Sequence, residues 1–200
     1  MKTARDEILG ALSATRPVFP PQKSRGLAQP SMPADAAAIL RARIEAAGGR
    51  LQIVSRRDWV ARVDWPVELA PDHAARIHSA RPELASRGAG RQLDLCVLSG
   101  EFAVVESGAV WHVPRTPHER QAALLAEHLV VVIEGDALVA TLHQAYERID
   151  LAALSFGWFL CGPSKTADIE QALVLGAHGP RSMSLVWLRD ELAEGASEPA

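Results

Sequence analysis

The chain has few of the residues that build redox and metal centres: only two of its 200 residues are cysteine, Cys96 and Cys161, far apart and each in an apolar run. There is therefore no CxxC pair to begin a cluster or thiolate metal site. An iron–sulfur cluster normally needs four ligands, so none is expected in this chain, and both thiols are expected to be buried packing groups. A charge excess is missing too. Lys and Arg total 21 against 24 Asp and Glu, a formal charge of -3, which excludes the basic footprint of a nucleic-acid binder. Nor does any apolar run reach the roughly 18 residues that read as a membrane span. The opening Met1-Lys-Thr-Ala-Arg-Asp-Glu-Ile-Leu9 sets charges where a signal peptide needs an apolar core. A cytoplasmic globular protein is expected, and 48% hydrophobic residues suffice for one domain with its own core.

Three segments follow from the patterning. Residues 3–16 carry Ile8, Leu9 and Leu12 at helical spacing, then Pro17, Pro20, Pro21, Pro30 and Pro33 forbid regular structure. Residues 1–33 are thus an N-terminal helical arm on a proline-rich tether, read either as a mobile arm or as a segment that docks on a partner subunit or a second copy. Residues 34–193 form the folded body, and 194–200 a frayed tail. In the body, a helix with Leu40 and Ile44 on one face stops at Gly48-Gly49 and is followed by a Leu51–Ser55 strand and a short Trp59–Val63 helix. Trp59 and Trp65 read as packing residues. A helix over Asp72–Ser79 is the best reading of a weakly patterned stretch.

After Gln92, strands are expected at Leu93–Leu98, Ala103–Val105, Ala109–Val113, Leu129–Ile133, Ser155–Cys161 and Ser184–Leu188. Helices are expected at Glu119–Ala126, Asp136–Arg148 and Asp168–Leu175. The unbroken apolar run Leu129-Val-Val-Val-Ile133 requires cover on both faces, hence a three-layer α/β sandwich with a mostly parallel sheet.

The chemistry-bearing residues concentrate in Cys161-Gly-Pro-Ser-Lys-Thr-Ala-Asp-Ile-Glu170 and His178-Gly-Pro180. Gly162 permits a tight turn, Ser164 and Thr166 supply hydroxyls, and Lys165 is the one lysine outside the arm, the others being Lys2 and Lys23. With Asp168 as N-cap and Gln171 three residues on, the loop reads as an anion cradle at a helix N-terminus. Neither a Walker A spacing nor GxGxxG is present. His178-Gly179 follows the expected helix and is predicted to return to the same edge. Upstream, Glu101 and Glu106 flank a short strand at an odd offset, on opposite faces, so they are not an acid/base pair. Glu106 at the strand end is the candidate base or nucleophile, beside the Ser107-Gly108 turn. The seven histidines show no HExxH or i,i+4 metal pair, so no metal site is expected.

The run CGPSKTADIEQALVLGAHGP resembles the GPS[KR]TADIE…GxHGP signature of the LUD-domain family, specifically its small C-type subunit. Val105-Glu-Ser-Gly-Ala-Val110 is similar to the family's AETGT element, with Glu106 and Gly108 kept but Ser107 and Ala109 in place of threonines. The resemblance covers about residues 90–190. It implies a fold like the NagB/RpiA/CoA-transferase group and membership of a three-part bacterial system that oxidises L-lactate to pyruvate, whose other two subunits bear iron–sulfur motifs. It also implies that Glu106, Ser107, Gly108, Gly162, Ser164, Lys165, Thr166, Asp168, His178 and Gly179 line one small-molecule or anion site. The alternatives are a stand-alone enzyme acting on a phosphorylated or CoA-linked small molecule, and a structural partner subunit; self-association is compatible with each.

Overall fold

The computed structural model describes residues 3–14, 30–67, 75–84, 86, 93–169 and 172–190. An N-terminal helix α1 (Ala4–Ala14) precedes the body, which opens with α2 (Ala36–Ala46), strand β1 (Arg50–Ser55) and the short α3 (Trp59–Arg62). Strands β2 (Ile77–Ser79), β3 (Leu93–Ser99), β4 (Phe102–Val104) and β5 (Val110–His112) follow, then α4 (Pro117–Leu125) running directly into β6 (Ala126–Glu134). The chain ends with β7 (Leu138–Val139), α5 (Leu142–Arg148), β8 (Trp158–Leu160), β9 (Lys165–Ile169), β10 (Ala172–Leu175) and β11 (Ser182–Arg189).

Five strands form the central sheet in the order β1-β11-β6-β3-β2, and every adjacent pair is parallel. The period of two along β6 shows why it lies at the centre. Leu129, Val131 and Ile133 face a core shared with Leu40 and Ile44 of α2 and Ala122 of α4, whereas Val130 and Val132 face Trp59 of α3 and Ile77 of β2. Each fully buried aliphatic side chain of this kind contributes about 1.5–3 kcal/mol, so both faces of β6 are held by packing. Helices above and below a parallel sheet make a three-layer α/β fold.

A second sheet, in the order β7-β4-β5-β8, is mixed: β4 and β7 run parallel, the other pairs antiparallel. It buries Phe102, Val104 and Trp111 against Ala145 and Ile149 at α5. Local chemistry starts both neighbouring helices. Thr116 Oγ1 accepts from Glu119 N at 3.1 Å with Pro117 at the first position of α4, and Thr141 with Gln144 forms a capping box on α5.

Four sequence expectations are corrected here. Strands β9 and β10 pair antiparallel, Thr166 with Val174 and Lys165 with Leu175, where the Asp168/Gln171 spacing predicts a helix from Asp168. Asp168 is a strand residue, and no helix N-terminus exists for it to cap. Residues 77–79, expected to be helical, pair with β3 as a strand. The helix expected from Asp136 begins six residues later, at the Thr141 capping box, because 138–139 extend the second sheet. Cys161, expected to be buried, is exposed, whereas Cys96 is buried as expected. Residues 15–29, which hold most of the proline-rich tether, and residues 191–200, which include the tail 194–200, lie outside the described residues. Pro30, near the end of the tether, accepts a hydrogen bond from Gln144 Nε2 at 2.9 Å, which ties the tether to α5.

Candidate functional site

Three glycines bring the predicted loops onto the end of α2. Gly108 has φ +74°, and an added Cβ there would meet the backbone N of Ile44 at 3.0 Å. Gly162 has φ +68°, and its Cβ would lie 2.4 Å from the carbonyl oxygen of Ala47. Both turns are left-handed and pressed against helix backbone, a combination only glycine meets without strain. A Cβ on Gly48 would come within 3.2 Å of Lys165 Nζ. The lysine therefore sits at the carbonyl end of α2, where the helix dipole favours a cation. This is the opposite helix pole from the one the sequence predicted.

The turns also meet each other. Cys161 Sγ donates to the carbonyl oxygen of Ser107 at 3.6 Å, joining the exit of β8 to the turn after β4. Ser107 Oγ accepts from Ala109 N at 3.3 Å, closing its own turn. Glu106 Oε1 accepts from Leu142 N at 3.1 Å, so one oxygen of the candidate base caps α5. Ser164 N donates to Pro180 O at 2.8 Å and its carbonyl accepts from Gly176 N at 2.9 Å. A Cβ on Gly179 would lie 3.0 Å from Ser164 Cβ, so the 176–180 loop does come back against Ser164. Glu101 stays exposed at the far end of β4.

His178 and Gly179 also line an open cleft of about 950 Å³, together with the charged group Arg76, Asp94, Glu127 and Arg181. Lys165, Glu106 and Ser107 are not among its lining residues, so the predicted residues divide between this cleft and the α2 end, with Ser164 linking the two. The arginines are paired: Arg76 Nη2 lies 3.1 Å from Asp94 Oδ1, and Arg181 Nη1 lies 2.7 Å from Glu127 Oε1. Beside them, the His128 ring hydrogen-bonds Ser182 Oγ at 2.7 Å, and burial lowers the histidine's pKa, favouring the neutral ring. Sequence reading missed this group because its pairs join strand starts tens of residues apart. The only signal was Arg181, directly after the HGP run. Among the described residues no group of three or more His, Cys, Asp or Glu side chains is placed to hold a metal ion. No described helix is long and apolar enough to cross a membrane.

The thiols give a direct test of this geometry. Burial raises the pKa of Cys96, and nearby Glu119 raises it further; burial also raises that of Cys161, but Lys165 opposes the shift. At pH 8 an aromatic disulfide reagent should titrate one thiol in the native chain and two in denaturant. Two rapid native thiols would contradict the burial of Cys96, and none would contradict the exposure of Cys161.

The model of the LUD domain family matches residues 67–188, more than half of the chain. The chain belongs to the LUD domain family. Its relatives include "Lactate utilization protein C" of Geobacillus thermodenitrificans, 28% identical over 133 residues, which cover 64% of this chain and 54% of that protein. The Geobacillus kaustophilus protein of the same name is 28% identical over 173 residues, 78% of this chain and 70% of the relative. That of Halalkalibacterium halodurans is 32% identical over 105 residues, 50% and 46%. The chain thus spans about half the length of several of the curated relatives it matches. Among solved structures, a DUF162 family protein from Deinococcus radiodurans superposes with a TM-score of 0.54 at 16% identity, covering 80% of this chain and 99% of that one. This LUD-domain chain therefore has the fold of that protein.

Proposed function

We propose that this LUD-domain chain serves lactate utilisation as a subunit that carries no redox centre of its own and works with iron–sulfur subunits that do. One observation carries the reading: the relatives named for lactate utilisation align over 64% and 78% of the chain. Glu106–Gly108, Gly162–Thr166 and His178-Gly179 are read as a single binding region for a small carboxylate- or phosphate-bearing molecule, bounded by the end of α2 and the open cleft. Asp168 belongs to this reading as a strand residue. Supporting it, Lys165 supplies the cation and the glycine turns allow close approach of backbone. Residues 34–193 are the LUD-type unit of the NagB/RpiA/CoA-transferase-like kind, and residues 1–33 are the arm by which it engages its partners or a second copy, in the cytoplasm.

The size of the cleft favours a second reading. At about 950 Å³ it is far larger than a three-carbon acid and approaches the upper range of pockets for drug-sized ligands. A stand-alone enzyme acting on a phosphorylated or CoA-linked molecule would use such space, although its candidate base Glu106 lies outside the cleft, at the α2 end. Co-expression separates the two. The chain is expected to co-purify with cysteine-rich iron–sulfur subunits and to be required for anaerobic oxidation of L-lactate to pyruvate by the reconstituted set. Full lactate oxidation by the iron–sulfur subunits without this chain would reject the subunit reading.

A further inference from the structure

Helix α1 is well started and poorly covered. Thr3 and Asp6 cap it reciprocally, Thr3 N donating to Asp6 Oδ2 at 3.0 Å and Asp6 N to Thr3 Oγ1 at 3.3 Å. Its 11 residues make about three turns, a length at which a helix in water is marginal until one face is packed. Yet Ile8, Leu9 and Leu12, which share that face at spacings of three and four, are 61, 48 and 61% exposed. Apolar residues so spaced are the anchors of a helix that lies in a groove.

The open cleft at the strand starts has the matching character. Leu124 and Leu125 at the end of α4 and Leu175 at the end of β10 line it, and they are 50, 51 and 50% exposed. Its charges cancel in pairs, Arg76 with Asp94 and Arg181 with Glu127, so an occupant meets leucines and side chains that are already neutralised. Such a lining suits an apolar helix face better than a free anion.

We propose that this cleft is the docking groove for α1 of a second copy of the chain, the two copies exchanging arms about a two-fold axis. The stripe and the cleft leucines are exposed together, so α1 is not seated in the cleft of its own chain. The tether meets the body at the other end of the sheet: Met32 lines a pocket with Trp187 and Arg189 at the end of β11, whereas Arg181 of the cleft precedes that strand. From there residues 15–29 can span about 50 Å, enough to cross to a neighbour. A two-fold exchange makes the contact twice, which carries a short arm toward the roughly 1,200 Å² at which specific interfaces begin. The seated helix also takes up the volume that a three-carbon acid leaves empty, and it roofs His178 and Gly179 while leaving the α2 end and Lys165 to the ligand. The inference rests on reading residues 1–33 as an arm and is independent of lactate, because self-association and growth on L-lactate are separate measurements.

Sedimentation of the full chain at micromolar concentration should show a dimer that persists in about 1 M salt, where exposed charges are screened. Ile8→Glu with Leu12→Glu, and separately Leu125→Glu, alter exposed positions, and each set should raise the dimer dissociation constant at least about a hundredfold. Chains carrying Leu12→Cys, mixed with chains carrying Leu175→Cys, should form a disulfide between positions 12 and 175 of different copies. Peptide mass identifies the bond, since Cys161 is also exposed. A monomeric wild type, or a dimer indifferent to both sets of changes, would overturn the proposal. So would a bond between positions 12 and 175 that forms only within one chain bearing both cysteines. Should Leu125→Glu fail to fold, the mixed-chain disulfide decides: its formation supports arm exchange and its absence refutes it.

Discussion

Replacing Gly162 by alanine is expected to destabilise the chain by about 2–5 kcal/mol and to displace the 162–166 loop from α2. Two effects add. A non-glycine residue in the left-handed region costs about 1–2 kcal/mol, and the new methyl would lie 2.4 Å from the Ala47 carbonyl oxygen, a backbone atom that cannot rotate away. Forced overpacking of this kind adds roughly 1–3 kcal/mol. For a chain of this size the sum corresponds to a fall in Tm of roughly 4–20 °C. Gly135→Ala is the matched control, because Gly135 also has positive φ, +56°, but its Cβ would meet nothing within 4 Å. Thermal unfolding should therefore place Gly162→Ala well below Gly135→Ala. Equal losses would mean that the loop is not pressed on α2.

Lys165→Ala is expected to weaken binding of a carboxylate or phosphate ligand about ten- to a hundredfold. A charge-assisted hydrogen bond contributes roughly 1.5–3 kcal/mol, at about 1.4 kcal/mol per factor of ten. Stability should fall much less, by about 0.3–1 kcal/mol, the value of a cation at a helix C-terminus. Calorimetry with the ligand and urea unfolding on the same preparations separate the two effects. Unchanged affinity would remove Lys165 from the site, and a large stability loss would make it a structural cation.

The central strand was legible because Leu129–Ile133 is apolar at every position, short and rich in β-branched residues, the pattern of a strand covered on both faces. Asp168 with Gln171 misled because a three-residue spacing of polar residues matches a helix start as well as it matches a strand, and the pairing that decides lies in Leu175 and Val174 opposite Lys165 and Thr166. The two- and three-residue strands β7 and β2 carry no period to read; their partners in the sheets define them. The turns of the candidate site were legible, because glycines at 108 and 162 mark positive φ. Their contact with α2 was not, since nothing in the local pattern around Gly48 announces that Lys165 lies against it. Glu119 was read only as the start of a helix; its burial 3.8 Å from His112, seven residues earlier, depends on how β5 and α4 cross.

The most direct test of the functional claim is growth. A host strain lacking this gene, and any redundant lactate dehydrogenase, should fail on L-lactate and grow normally on glucose. The wild-type gene should restore growth on L-lactate, while Lys165→Ala, present at the same protein level, should restore it poorly or not at all. A null strain that grows normally on L-lactate would contradict the account, and a Lys165→Ala strain indistinguishable from wild type would contradict the role given to the loop.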